Sequence, residues 1–342
     1  MKKISVSFLL IATFFLMTAC TMTSSQEIPL VIYDMRDDYM QDFERQIQLA
    51  AGNKFDVVTY DSQHSQLTQN EQVIELIRQE PPLIVVNPVD RLSVHAMIQE
   101  AKAYNVPIIF INREPLQEDL ELYEHTYYIG ADAKESARLQ ASIIMDLLGG
   151  DPTQLNHYDV NGDGKIQVVI LMGQQGHQDA EQRTRYVIET LEDAGYELDL
   201  LDIRVADFDR DLAYQEMISL INLYGSSIEL VIANNDAMAI GAVEALMERE
   251  MIEDSSDKGY VDHLIDPYVP VVGIDGLDEA VDLIKTGFLH GTVINDSAAM
   301  AESLIELIEI VYTNQPIDNY SFPIVDNHYI WIEYRKFILE SE

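Results

Sequence analysis

Polar side chains follow the apolar runs of this sequence at the points where the runs end. Carboxylates, amides and a guanidinium can pair with hydroxyl groups, which both donate and accept hydrogen bonds, and flat rings can stack on the apolar face of a sugar. Each Asp or Asn could instead only cap the helix that follows its strand. Taken together, the residues indicate a sugar site. The polar residues at the strand ends are Asp37, Asn112, His177, Asp179, Arg183, Asn234, Asn235, Asp236, Asp275, Asn295 and Asp296, and the candidate stacking rings are Tyr39 and Phe208.

A second cluster of oxygen donors lies in residues 159–167, which match the first nine positions of an EF-hand loop. Such a loop places donors at positions 1, 3, 5 and 9, a glycine at 6 and a backbone carbonyl at 7. Position 12 lacks the usual Glu, so a carboxylate must come from elsewhere. The predicted structural Ca²⁺ site contains Asp159, Asn161, Asp163, the Lys165 carbonyl, Gln167 and Glu229. A polar turn arising by chance is the alternative.

The elements that would position these residues alternate along the chain. Apolar, β-branched runs predict strands at 29–33, 55–60, 83–87, 107–112, 126–130, 166–172, 198–204, 230–234, 269–275 and 289–294. Amphipathic segments predict helices that include 40–51, 71–78, 93–104, 135–148, 179–194, 212–223, 237–249 and 298–311. This alternation indicates an α/β architecture with parallel sheets, and ten strands favour two Rossmann-like lobes. Residues 254–267 read as an acidic surface insertion.

The first residues predict export rather than structure. Two lysines precede a charge-free apolar run at 4–19, which is short for a membrane span and typical of a secretory signal. The run ends in Met17-Thr18-Ala19-Cys20, which resembles a bacterial lipobox. We therefore predict a signal peptide at 1–19 and a lipidated Cys20 with a tether at 20–27. An ordinary cleaved signal with an incidental cysteine is the alternative.

Composition narrows the class of function. The chain has 59 acidic and 21 basic residues and a net charge of −38, which argues strongly against nucleic-acid binding. Cys20 is the single cysteine, so no disulfide is expected within the body. A chain of 342 residues can bury a large core without one.

Several motifs carry a resemblance to a known family. Residues 112–115, 127–136, 159–167, 176–183, 231–238, 273–275 and 291–295 are similar, in order, to segments of the periplasmic galactose/glucose-binding proteins. The resemblance implies a type I periplasmic-binding fold, with two lobes joined by three crossovers around one hexose. It places 28–131 plus 296–318 in the N-terminal lobe and 132–295 plus 319–342 in the C-terminal lobe. It implies that the polar sugar contacts are Asp37, Asn112, His177, Asp179, Arg183, Asn235, Asp275 and Asn295, with Tyr39 and Phe208 at the stacking positions. It also implies the calcium ligands given above, an ABC permease as partner and no catalysis.

Two departures from the family, at the stacking rings and at the 254–267 insertion, and two alternatives accompany this interpretation. The family stacks its sugar between a Phe and a Trp, whereas Tyr39 and Phe208 stand at those positions and Trp331 is distant in sequence. A sugar sensor for a chemoreceptor or kinase would have the same sequence features. An enzyme using Asp179 and His177 as acid and base would need a nucleophile or zinc motif that the sequence lacks. We expect a monomer outside the cytoplasm, held at the membrane only through Cys20.

Overall fold

The computed structural model describes residues 27–339, which form twelve strands and ten α-helices in two lobes. The N-terminal sheet is parallel, with strand order β11-β5-β4-β3-β1-β2. Its strands are β1 (Glu27–Ile32), β2 (Asp56–Asp61), β3 (Ile84–Val86), β4 (Ile108–Ile111), β5 (Thr126–Gly130) and β11 (Tyr329–Trp331). The helices of this lobe are α1 (Asp38–Ala51), α2 (Gln66–Ile77), α3 (His95–Tyr104), α4 (Gln117–Leu120) and α10 (Ser297–Tyr312).

The C-terminal sheet has strand order β12-β10-β9-β8-β6-β7, with only β12 antiparallel. Its strands are β6 (Ile166–Met172), β7 (Leu198–Val205), β8 (Leu230–Ala233), β9 (Val271–Asp275), β10 (Gly291–Ile294) and β12 (Arg335–Ile338). The helices of this lobe are α5 (Ala133–Leu147), α6 (Gln178–Asp193), α7 (Arg210–Tyr224), α8 (Asp236–Glu248) and α9 (Asp278–Lys285).

Both faces of each sheet are covered, which explains the unbroken apolar strands. Helices α1 and α10 pack on one face of the N-terminal sheet, around Phe43 and Leu304, while α2 and α3 cover the other face. In the C-terminal lobe, α7 and α8 pack on one face and α5 and α6 on the other. A strand buried on both faces gains from apolar residues at every position, and all four residues of β8 are buried.

The chain passes between the lobes three times, after β5, after β10 and after β11. The expected division placed all of 319–342 in the C-terminal lobe, and this is wrong for part of that segment. Tyr329–Trp331 forms β11 and pairs with β5 of the N-terminal sheet. Tyr320 and Ile330 belong to the core of that lobe. Only the final strand, β12, joins the C-terminal sheet, where it forms the edge because its backbone pairs with β10.

All ten predicted strands and all eight predicted helices occur. The pattern missed the short elements β11, β12, α4 and α9. The 254–267 segment consists of bends and turns, with Val261 packed into the core beneath it. Cys20, the predicted signal and most of the tether lie outside the described residues. Within residues 27–339, no helix is long and apolar enough to cross a membrane.

Candidate functional site

A cavity lies between the carboxyl ends of the two sheets. All ten residues predicted to form a sugar site line it, and three more do so that the sequence did not single out. The N-terminal lobe contributes Asp37, Tyr39 and Asn112, and the C-terminal lobe and its crossovers contribute His177, Asp179, Arg183, Phe208, Asn235, Asp275 and Asn295. The additional residues are Tyr33, Met40 and Arg113.

The N-terminal wall is fixed by the start of α1. Asp37 is the N-cap of this helix, and its Oδ1 accepts the backbone N–H of Met40 at 2.9 Å. Its other oxygen, Oδ2, accepts the hydroxyl of Tyr33 at 2.5 Å. Asn112 follows β4 with φ +62°, and its carbonyl accepts the hydroxyl of Tyr128 at 2.9 Å. These contacts position the Asp37 side chain and the backbone of Asn112 at the cavity wall.

Arg183 organises the C-terminal wall and is only 4% exposed. Its guanidinium lies 3.5 Å from Asp179 and 3.8 Å from Asp275, and it donates to the Asn234 carbonyl at 2.8 Å. It also donates to the hydroxyl of Tyr334 at 3.2 Å, a residue of the last crossover. The cation therefore ties α6 to the ends of β8 and β9 and to the C-terminal segment.

Burial shifts the ionisation of this wall. Burial raises the pKa of Asp275 well above its ordinary value, although the Arg183 charge opposes the shift. Burial likewise raises the pKa of Asp179, again against Arg183. Burial disfavours the charge on Arg183, but Tyr334, Asp179 and Asp275 together raise its pKa above the ordinary range. The wall thus combines a permanent cation with two buried carboxyls, whose ionised forms hydrogen-bond donors of a ligand would stabilise.

His177 presents a defined donor to the cavity. It is the N-cap of α6, where its Nδ1 accepts the backbone N–H of Asp179 at 3.1 Å. Burial, followed by the charges of Arg113 and Arg183, lowers the pKa of His177 well below its ordinary value. A neutral ring whose Nδ1 accepts must carry its proton on Nε2. The ring is therefore suited to donate one hydrogen bond, and not to act as a cation.

Phe208 is held in a strained conformation at the cavity. Its φ is +64°, a left-handed value that is costly for an aromatic residue. The ring covers Gly173, where a Cβ would lie 2.2 Å from the ring, so only glycine permits this contact. Asn235 donates to the Phe208 carbonyl at 3.3 Å and holds the strained segment in place. The φ of Asp275, +130°, is also unusual. Strain of this kind concentrates at functional sites.

Two buried polar atoms of the cavity have no hydrogen-bond partner among the described residues. These are Nε of Arg183 and Oδ1 of Asn295, one donor and one acceptor. Buried polar atoms are normally paired, because an unpaired one costs about 1–3 kcal/mol. A hydroxylated ligand would satisfy both kinds of atom.

Arg113 was missed by the sequence reasoning, although it directly follows Asn112. Its guanidinium lies 3.6 Å from the centre of the Tyr33 ring and donates to the Val89 carbonyl at 2.5 Å. Tyr334 was also missed, because nothing in the local sequence shows that the last crossover returns to Arg183. The sequence signal that could have identified Arg113 is its position one residue after Asn112, at the end of a predicted strand.

The loop predicted to bind calcium is folded around its own carboxylates. Asp159 accepts backbone N–H groups of Gly162, Asp163 and Gly164 at 2.8–3.1 Å. Glu229 is 3% exposed and accepts the backbone N–H groups of Val160, Asn161 and Gln167. Glu229 therefore lies against the loop, as the sequence predicted. Burial raises its pKa, although these backbone hydrogen bonds oppose the shift.

The fit of this loop to an ion depends on neutral as well as charged oxygens. Within residues 27–339, no group of three or more His, Cys, Asp or Glu side chains could hold a metal by itself. Ca²⁺ also takes amide and backbone oxygens as ligands. Oε1 of Gln167 is buried and has no hydrogen-bond partner among the described residues, so this oxygen is available to coordinate an ion. The donor chemistry of the loop fits Ca²⁺.

Residues 28–315 match the family model described as periplasmic binding protein domain. The chain belongs to this family. It is 33% identical over 294 residues to the D-galactose/methyl-galactoside binding periplasmic protein of Haemophilus influenzae, covering 84% of this chain and 82% of that protein. It is 26% identical to the ribose import binding protein of Bacillus subtilis, covering 86% and 88%. The expected family is therefore confirmed.

Solved structures agree with the architecture of this periplasmic binding protein. A solute binding protein from Actinobacillus succinogenes with bound D-allose is 19% identical, with a TM-score of 0.75 over 92% of this chain and 97% of that one. A solute binding protein from Bacillus halodurans with bound myo-inositol is 23% identical, with a TM-score of 0.73 over 92% and 94%. The expected type I fold is confirmed. Because members of the family bind solutes without transforming them, the protein is not an enzyme.

Proposed function

We propose that this protein is the sugar-binding component of an ABC importer and binds one hexose, galactose or glucose, in the interlobe cavity. The observation that carries the proposal is the convergence of ten polar and aromatic residues, predicted from motifs spread over 259 positions, on a single cavity. The cavity contains both hydrogen-bond donors and acceptors, and one of each, Nε of Arg183 and Oδ1 of Asn295, has no partner among the described residues. The Haemophilus influenzae relative, named for galactose and methyl-galactoside, supports a hexose as ligand.

Closure of the lobes on the ligand follows from contacts made by both lobes. Two hydrogen bonds between described residues cross the cleft: Gln178 donates to Glu114 at 2.8 Å, and the amide of Gln174 lies 2.7 Å from Nε2 of His64. A sugar held by both walls binds the closed form more tightly than the open one and shifts the population toward it. The closed form is the one we expect the permease to recognise.

Calcium is proposed as a structural ion of the C-terminal lobe. Asp159, Asn161, Asp163, Gln167, Glu229 and the Lys165 carbonyl would hold it. The ion would supply positive charge to carboxylates that backbone N–H groups and the Gln167 amide now stabilise. Glu229 directly precedes β8 and Gln167 lies in β6, so the ion would join the loop to two neighbouring strands.

The membrane tether is proposed from Cys20. Acyl chains on this residue would keep the protein at the outer face of the cytoplasmic membrane, or in the periplasm of a Gram-negative cell. Membrane fractions of expressing cells should contain the full chain, and Cys20→Ser should move it to the soluble exported fraction. Retention of the variant at the membrane would contradict the lipid anchor.

Calorimetric titration tests the ligand. The lipid-free body from Ser24 onward, in calcium buffer, should bind galactose or glucose one to one and bind xylose and ribose weakly. Asp275→Asn, which removes one buried acceptor, should weaken the hexose at least tenfold. Asp282→Asn is the matched control, because the Asp282 side chain is 75% exposed and lies outside the cavity. A signal only for pentoses would overturn the hexose assignment, and silence for every sugar would overturn the proposal.

A further inference from the structure

A second cavity, of about 190 Å³, adjoins the sugar cavity and is larger than it. The two cavities share Arg113, His177 and Asp179, which therefore form their common boundary. Arg91 and Glu114 of the N-terminal lobe line the second cavity, as do three glutamines of the C-terminal lobe, Gln174, Gln175 and Gln178. Both lobes thus build this space, as they build the first.

Polar atoms of the second cavity have unused hydrogen-bonding capacity. Oε1 of Gln178 is buried and lacks a partner among the described residues, while its Nε2 donates across the cleft to Glu114. Arg91 donates to the backbone carbonyl of Glu114 and Arg113 to that of Val89. Both guanidinium groups thus use backbone oxygens as acceptors, although the chain has 59 acidic residues. These side chains can therefore still pair with a ligand.

The charges of the second cavity are close to balanced. Two arginines face three carboxylates, and burial raises the pKa of two of them, Glu114 and Asp179. Neither a phosphate nor an ammonium group would find a matching excess of charge here. Neighbouring guanidinium, amide and carboxyl groups instead match hydroxyls, which donate and accept at one atom. The chemistry is that of the first cavity without its stacking ring, Phe208.

We propose that the second cavity is a subsite for a neutral, hydroxylated group joined glycosidically to the hexose, so that the protein also takes disaccharides. The inference rests on the proposed hexose site, since the first unit must occupy the smaller cavity. His177 and Asp179, which line both cavities, would face the linkage between the two units.

Calorimetric titration with two hexoses and four disaccharides tests the subsite. Galactose and glucose are compared with lactose, melibiose, maltose and isomaltose, which differ in linkage and anomer. At least one disaccharide should bind one to one, with an affinity equal to or above that of its hexose. Arg91→Ala should weaken this disaccharide about tenfold and leave the hexose within twofold, because it removes a charged donor of the second cavity alone.

A second variant places a larger side chain in the second cavity. Gln175 is exposed at the edge of the second cavity, so Gln175→Trp should fold normally, exclude the disaccharide and spare the hexose. Asn295→Ala, which alters the first cavity, is the control and should weaken both ligands equally. Thermal unfolding of each variant checks that it folds.

The outcomes separate the two proposals. Hexose binding without binding of any disaccharide would overturn the subsite and leave the proposed function intact. Disaccharide binding that Arg91→Ala and Gln175→Trp reduce no more than hexose binding would also overturn it. Absence of all sugar binding would overturn the proposed function and the subsite with it. A selective loss of the disaccharide in both variants would establish the subsite.

Discussion

Replacing Arg183 by Met tests the electrostatic design of the binding wall. The side chains have similar length, but Met carries no charge and donates no hydrogen bond. The substitution leaves Asp179 and Asp275 buried without the cation that lies 3.5 Å and 3.8 Å from them. It also removes the donors to the Asn234 carbonyl and the Tyr334 hydroxyl. We expect both stability and sugar binding to be lost.

The magnitude follows from the burial of the ion pairs. Removing one partner of a buried pair costs about 3–5 kcal/mol, because the remaining charge is uncompensated. For a protein of this size, that corresponds to a fall in Tm of roughly 10 °C. Burial raises the folded-state pKa of Asp275 and Asp179, and Arg183 opposes both shifts. Without the cation these pKa values rise further, so the destabilisation grows as pH rises through them and shrinks as pH falls.

The assay is thermal unfolding of the variant and the parent protein from pH 8 to pH 5, with Arg185→Met as the matched control. Arg185 lies on the same helix, but its side chain is 67% exposed and its pair with Glu189 is a surface salt bridge. Such pairs contribute about 0–1 kcal/mol. The Tm deficit of Arg183→Met should be several times that of the control and narrower at pH 5. Equal deficits, or one independent of pH, would refute the reasoning.

Three further perturbations have defined outcomes. Gly173→Ala would place a Cβ 2.2 Å from the Phe208 ring, so the ring must move and sugar affinity should fall about tenfold by calorimetry; unchanged affinity would contradict the role of the ring. Chelation of calcium should lower the Tm, because it removes about 2.7 kcal/mol of unfolding free energy if the ion was present at 100 times its Kd. Glu229→Gln should abolish this effect of the chelator. A chelator that leaves the Tm of the parent protein unchanged would exclude a structural ion. Burial lowers the pKa of His290 to about 4. Protonation therefore favours the unfolded chain, and stability should fall by roughly 3 kcal/mol between about pH 6.5 and pH 4. His290→Gln should flatten that part of the Tm–pH curve, and an unaltered curve would contradict the prediction.

The sequence predicted the strands best where both faces are buried. Residues 230–234 and 166–172 are apolar at nearly every position, and both segments form central strands. The strands β11 and β12 were missed because they have three and four residues and lie at or near sheet edges. Their state is decided by backbone pairing with β5 and β10, about 200 and 45 residues away along the chain, which no local pattern encodes.

The site was predictable where a residue ends a strand, and less so elsewhere. Asn112 and Asp275 follow apolar runs directly, so their position at the edge of a parallel sheet follows from the topology. Tyr33 lies at the end of β1, but a tyrosine in an apolar run gives no polar signal. Met40 is an apolar residue of the first turn of α1, where it equally fits the core. The stacking roles of Tyr39 and Phe208 stay predictions, although both line the cavity.

The sequence left open whether its Asp and Asn residues cap helices or contact a ligand, and the structure shows that two of them, and His177, cap helices while lining the cavity. Asp37 uses Oδ1 to cap α1, His177 uses Nδ1 to cap α6, and Asn235 uses Oδ1 to cap α8. Each cap fixes the rotamer of its side chain and commits one polar atom. For His177, a committed Nδ1 leaves Nε2–H as the donor. A side chain already ordered by its helix loses little further entropy when a sugar binds, which favours affinity. Replacing such a residue therefore removes a helix cap and a ligand contact together, whereas Asn295, which is not an N-cap, separates the two effects.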